Sequence, residues 1–238
     1  MINTDTLRSE NEKLTKIEET AVEKTTKRPD ESSGIYVRGH IKITDVTEPE
    51  NHIVIRDKFN AIHYENMSVA LANSIADKSQ NFIYEMTFGN GGTSVDPTGI
   101  ITYLPTNTVG QNANLYNPTY SKIVDNTAIS NPDPVNNSMT VTHIPGTVYT
   151  DILVSCLLDY GEPSGQALFD NSQNLNGEYV FDELGLRGRS TDGTVGLLST
   201  GLLLTHVVFH PVQKALNRLI QIDYTVRIQT LTNLSAIG

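Results

Sequence analysis

The sequence predicts a mainly β protein: a β-sandwich-like body with one principal helix and a long N-terminal arm. Three observations carry this prediction. Residues 139–144, 148–158, 179–186, 202–210 and 219–231 all read as strands rich in β-branched and aromatic residues. In the last of them Ile220, Ile222, Tyr224, Val226 and Ile228 alternate with Gln221, Asp223, Thr225, Arg227 and Gln229, the pattern of a half-buried strand. Against these stands one convincing helical segment, about residues 65–77, where Met67, Leu71 and Ile75 recur every four residues and are expected to face the core, and Ala70 and Ala72 add helix propensity.

The elements follow in order. Residues 1–34 form a polar N-terminal arm in which Arg8, Glu10, Glu12, Lys13, Lys16, Glu18 and Glu19 mix signs, and Leu7, Leu14, Ile17 and Ala21 make a thin helical stripe. Pro29 ends the stripe, and residues 30–34 read as a linker. So few apolar side chains do not offset the ordering entropy, about 1–2 kcal/mol per residue for the backbone. The stripe is therefore expected to be ordered by neighbouring subunits. Residues 35–238 form the β-rich body. It opens with a strand in which Ile35, Val37, Ile41 and Ile43 share one face, followed by a short strand at 52–56 and a link at 58–63. After the helix, Phe82, Tyr84, Met86 and Phe88 alternate on one face of a strand, and Gly89 to Thr93 supply a turn.

Residues 89–137 form a loop-rich excursion, interrupted by Pro97, Pro105, Pro118, Pro132 and Pro134. Its charged residues are reduced to Asp96, Lys122, Asp125 and Asp133, which is sparse for a freely solvated loop. A loop this long inside a body is commonly functional or disordered. It is expected to be a contact surface, with Tyr103, Tyr116 and Tyr120 as candidate interface residues beside Leu7, Leu14, Ile17 and Ala21 of the arm.

The net charge of −10 builds no basic face for a phosphate backbone, so direct nucleic-acid binding is not expected. No stretch approaches the roughly 20 apolar residues of a membrane-spanning helix, and no apolar signal core stands near the start, so no membrane insertion and synthesis in a cytoplasm are expected. The lone Cys156 lies in an apolar run and reads as a small buried hydrophobe. His206 and His210 sit on a β-rich segment, where side chains four residues apart are roughly 13 Å apart and do not share an ion. Asp182 and Glu183 are neighbours on a strand, predicted to point to opposite faces and to satisfy backbone donors or an arginine such as Arg187 or Arg189. The Gly89 to Thr93 run lacks the lysine of a phosphate loop, and no Gly-x-Ser-x-Gly elbow occurs. No catalytic residue, cofactor or metal ligand is assigned, and the chain is expected not to be an enzyme.

Three features occur in one order: residues 59–93 with Met67-Ser68-Val69-Ala70-Leu71-Ala72 and Phe88-Gly89-Asn90-Gly91-Gly92-Thr93, then Tyr179-Val180-Phe181-Asp182-Glu183-Leu184-Gly185-Leu186, then residues 203–214 ahead of the closing strand. This order resembles virion structural proteins of tailed bacteriophages, in particular neck, collar, baseplate and fibre-anchoring subunits. The resemblance covers about residues 52–231 and leaves the arm outside it. It implies a non-enzymatic subunit of the neck/collar or head–tail connection, located in the virion and forming a homo-oligomer beside portal, connector, tail or fibre proteins. A baseplate or fibre-type module binding a host glycan is the alternative, and a capsid decoration protein a further one. An exposed concave cluster of Tyr103, Tyr116 and Tyr120 would favour the glycan reading.

Overall fold

A computed structural model describes residues 34–78, 82–163, 179–190 and 198–231. The chain divides into two units, Met1–Tyr36 with Thr230–Gly238, and Val37–Gln229. Of the first unit, residues 34–36 and 230–231 are described, and they are the outer ends of two strands. The polar arm of residues 1–34, with its expected helical stripe, otherwise lies outside the described residues.

In chain order the elements are β1 (Gly34–Asp45), β2 (Ile53–Ile62), helix α1 (Tyr64–Ile75), β3 (Ile83–Gly89), β4 (Thr93–Val95) and β5 (Ile101–Tyr103). They continue with β6 (Pro118–Ile123), β7 (Ser138–His143), β8 (Tyr149–Leu158), β9 (Tyr179–Gly188), β10 (Thr205–Lys214) and β11 (Ile220–Leu231). The protein is mainly β with one helix among the described residues, as the sequence predicts.

Nine strands form a curled antiparallel sheet in the order β6-β3-β9-β10-β2-β1-β11-β8-β7, and β4 and β5 make a separate hairpin. The sheet narrows at one place: β2 and β10 share two residue pairs, Ala61 with His206 and Ile62 with Thr205. Elsewhere the ladders are long, up to ten consecutive pairs between β8 and β11. The narrow joint lets the two halves of the sheet fold towards each other, and both line one core. That core takes Ile41 and Ile43 from β1, Met86 and Phe88 from β3, Val154, Cys156 and Leu158 from β8, Phe181 and Leu184 from β9, Val207 and Phe209 from β10 and Ile222 and Tyr224 from β11. Phe181 organises its centre, meeting Phe88 and Phe209 edge-on at 5.4 and 5.8 Å. Cys156 is fully buried there, and burial pushes its thiol up to about 12, well away from a nucleophilic thiolate.

The inward residues of β11 are Ile220, Ile222, Tyr224 and Val226, as the alternation predicts. Other expectations are corrected. β2 runs through the segment predicted to be a link, because its polar side chains find partners: Lys58 Nζ donates to the Val208 carbonyl at 2.7 Å, and Asn60 Nδ2 donates to the Tyr224 hydroxyl. The loop-rich excursion carries three short strands, β4, β5 and β6. Pro118 is tolerated because it opens β6, which is an edge strand. In β3 both faces are buried, Met86 and Phe88 towards the core and Glu85 and Thr87 on the other side.

The helix shows the clearest departure. Asn66, Met67 and Ala70 are buried, Leu71 is half-buried and Ile75 is 81% exposed. Positions i, i+4 and i+8 precess about 40° per step around a 3.6-residue helix. The buried side is set by Asn66 and Ala70 next to Met67, and Ile75 has rotated out of it. α1 starts at His63, whose Nδ1 accepts the Asn66 amide at 3.2 Å as an N-cap. The buried face packs against Ile62 and Leu204.

Truncating Met67 to Ala should therefore cost roughly 2–5 kcal/mol, whereas Ile75→Ala should stay within about 0.5 kcal/mol of wild type. Urea melts of the two variants test this assignment. Equal losses would mean that the helix is rotated from the position described.

Candidate functional site: a buried polar layer under the excursion

On the side of β3, β9 and β10 facing away from the core lies a second layer, and it is polar. Glu85, Thr87, Glu183, Arg187, His206, His63 and Asn66 are all buried. Residues 105–117 of the excursion, whose backbone has little regular pairing of its own, supply partners to Glu183, Arg187, His206, His63 and Asn66, whereas Glu85 is met by Ser199.

Glu183 is the hub. Its Oε1 accepts the amides of Gly91 at 3.1 Å and Asn117 at 2.8 Å, and its Oε2 accepts the amide of Tyr116 at 3.0 Å. Oε2 also lies 3.0 Å from His206 Nε2, and both side chains are fully buried. His206 Nδ1 accepts the Asn107 amide at 2.8 Å. A ring nitrogen that accepts carries no proton, so the proton sits on Nε2 and is donated to Glu183. Burial works against the charged form of Glu183. The His206 hydrogen bond and the three backbone donors outweigh it and hold the carboxyl below its usual range.

Asp182 serves the same turn. Its Oδ1 accepts the Gly92 amide at 2.9 Å and its Oδ2 accepts the Thr93 amide at 2.8 Å and the Thr93 hydroxyl. The expectation that neighbouring acids point to opposite faces is corrected here. The ladder between β9 and β10 jumps from Val208–Glu183 to Val212–Phe181. Phe181 and Leu184 both face the core, three residues apart, so the strand loses its alternation between them and both acids turn to the excursion. The residues thrown out of register on β10 keep partners: Arg56 Nε donates to the His210 carbonyl at 3.1 Å. The acids satisfy backbone donors, one of the two roles predicted, and they are not arranged around an open site.

Close backbone approach requires glycine in this turn. A Cβ on Gly89 would lie 2.6 Å from the Asn117 carbonyl oxygen and 2.5 Å from Glu183 Oε1. The glycines of residues 89–93 thus serve carboxylates of the same chain, not a phosphate.

The rest of the layer extends the same logic. His63 Nε2 donates to the Gly110 carbonyl at 3.0 Å, because its Nδ1 is occupied as the N-cap acceptor. Asn66 Nδ2 reaches the carbonyls of Gln111 at 3.3 Å and Leu203 at 2.9 Å. Arg187 donates to the Gly201 carbonyl at 2.8 Å and to Asn114 Oδ1. Glu85 accepts the Ser199 amide at 2.7 Å through Oε1, while its Oε2 has no hydrogen-bond partner among the described residues. Burial pushes the Glu85 carboxyl up to about 7, against the opposing pull of the Ser199 amide and Arg187.

The candidate interface residues are placed as follows. Tyr103 is half exposed, with its hydroxyl 3.2 Å from His210 Nδ1. Tyr116 donates to the Pro105 carbonyl at 2.6 Å and sets its ring 5.8 Å from that of His206. Tyr120 packs against the core, 6.0 Å from the Phe88 ring. Leu7, Leu14, Ile17 and Ala21 lie outside the described residues. His206 and His210 do not come together: one is buried against Glu183 and the other is exposed at the register break. Among the described residues no group of three His, Cys, Asp or Glu side chains is placed to hold a metal ion, and no helix is long and apolar enough to cross a membrane. Sequence reasoning missed the partnership of Glu183 with His206, since nothing local in either strand announces it.

Two pH effects of opposite sign follow. Glu183 titrates lower folded than unfolded, so its contribution is complete above its ordinary value of 4.5 and fades as pH falls below it. Glu85 titrates higher folded, so the stability of its protonated form is complete below 4.5 and is lost as pH rises to about 7, a change of about 3 kcal/mol. Stability measured against pH should lose its decline between pH 4.5 and 7 in Glu85→Gln, and an unchanged profile would contradict the burial of that carboxyl. Glu183→Ala, which takes the acceptor away from three backbone amides and from the buried His206, should cost roughly 3–5 kcal/mol. Comparison with protein-family models, with curated proteins and with solved structures finds no match to this chain.

Proposed function

We propose that the chain is a non-enzymatic structural subunit that works by packing into a larger assembly, a virion part of a tailed bacteriophage in the neck, collar or head–tail connection. The observation that carries this reading is apolar surface left open on an acidic chain. A pocket of about 330 Å³ opens between α1 and the β7-β8-β11 part of the sheet. Its walls include Met67, Leu71, Phe82, Met139, Val141 and Ile228, and Ser74 is the polar residue among those lining it. Beside it the segment leading into and out of β7 exposes Ile129, Val135, Val141, Ile144 and Val148. Exposed apolar surface of this kind is characteristic of subunits that meet partners.

The polar layer supports the same reading. Its acids and imidazoles are engaged with backbone groups and buried, which gives them a clamping role on the excursion. The position of Tyr120 against Phe88 takes one member out of the aromatic platform on which the glycan-binding alternative draws.

The test is fractionation of the cells that make the protein. The chain should sediment in multiple copies with large particles, and a version lacking residues 1–34 should fold with a similar melting temperature yet fail to enter them. A full-length chain found only as a free monomer would contradict the proposal.

A further inference from the structure

The nine-stranded sheet ends in two edges, β6 and β7. Natural edge strands are guarded by charges, prolines, bulges or covering loops. β6 opens on Pro118. β7, Ser138-Met139-Thr140-Val141-Thr142-His143, contains no proline and no carboxylate, lysine or arginine. Its ladder with β8 runs through six consecutive pairs without a register shift, so no bulge twists it away. The Met139 amide points outwards, donating to Asn126 Oδ1 at 3.4 Å. Strand alternation turns the amides of Val141 and His143 in the same direction. Among the described residues no strand lies beyond them.

The surroundings say what fits there. Between residues 126 and 150 the sequence carries one charged side chain, Asp133, in a chain whose net charge is −10. Two copies repel each other over most of their surfaces, and this edge is where they meet without like charges facing. Val141 is 68% exposed, and Ile129, Val135 and Ile144 are exposed nearby. Resting on the assembly reading above, we propose that β7 pairs antiparallel with β7 of a second copy, joining two sheets about a twofold axis. An isologous contact of this kind is self-complementary. Met139 and Val141 line the apolar pocket, so pairing brings the same two side chains of the second copy to its mouth.

The experiment is sedimentation velocity of the full chain over a range of concentrations, with hydrogen exchange on the same samples. Wild type should associate reversibly, and the amides of Val141 and His143 should gain protection as it does. Val141→Lys and Val141→Pro should weaken association about tenfold or more. The proline is tolerated by the fold because the amide it removes points away from β8. Ile75→Lys, an equal change at an exposed apolar position on α1, should leave association unchanged. If wild type associates and both Val141 variants do so equally, with no protection gained along β7, this inference falls while the assembly reading stands. If wild type stays monomeric throughout, the inference falls together with the homo-oligomeric part of that reading.

Discussion

The carboxylate of Glu183 is the constraint on which the arrangement of this chain depends. A loop of the length of the excursion has backbone donors that no helix or strand satisfies, and burying them without partners costs about 1–3 kcal/mol each. One side chain relieves three of them and a histidine besides. Because these donors come from the turn after β3 and from the segment before β6, Glu183 ties two distant parts of the excursion to the centre of the sheet. His206 then passes the connection to Asn107. The result is a body with two layers, an apolar core on one side of β3, β9 and β10 and a hydrogen-bonded layer on the other.

The register break in β9 makes this possible. A regular strand would have sent either Asp182 or Glu183 into the aromatic core beside Phe181. The shift sends both outwards, and the His210 carbonyl, in the stretch of β10 left out of register, is taken up by Arg56 of β2. β2 is also the strand that joins the two halves of the sheet through two residue pairs. The narrow joint, the break and the polar layer therefore occupy one region, in which polar side chains act as couplings between segments that do not pair regularly.

Much of the fold was legible because it follows from periodicity. Alternation in β8 and β11 and the apolar run of β9 identify strands whatever their partners, and Cys156 reads correctly as core. The legible part ends where tertiary contacts override local pattern. Lys58 and Asn60 read as linker residues until Val208 and Tyr224 are placed beside them, so local pattern ends β2 early. The four-residue spacing points Ile75 inwards because it matches a helical face for one turn and drifts off it over two. The polar layer was invisible for a further reason: Glu183, His206, His63 and Asn66 are each unremarkable alone, and their roles arise from an excursion whose path the sequence does not specify. Its poverty in charge was the available signal. A loop lying on buried carboxylates has reason to lack charges of its own, which adds to its expected role as a contact surface.

For function, this division of labour separates an inward task from an outward one. The polar layer fixes the excursion and leaves no reactive group free at Glu183 or His206, while the apolar pocket and the β7 edge face outwards. The most direct test of the account is native-state hydrogen exchange at the amides of Gly91, Asn107, Tyr116 and Asn117. If Glu183 and His206 clamp the excursion, these four amides exchange only through an opening as costly as that of the β9–β10 core, and Glu183→Gln lowers their protection together. Fast, mutually independent exchange in the wild-type protein, insensitive to that substitution, would contradict it.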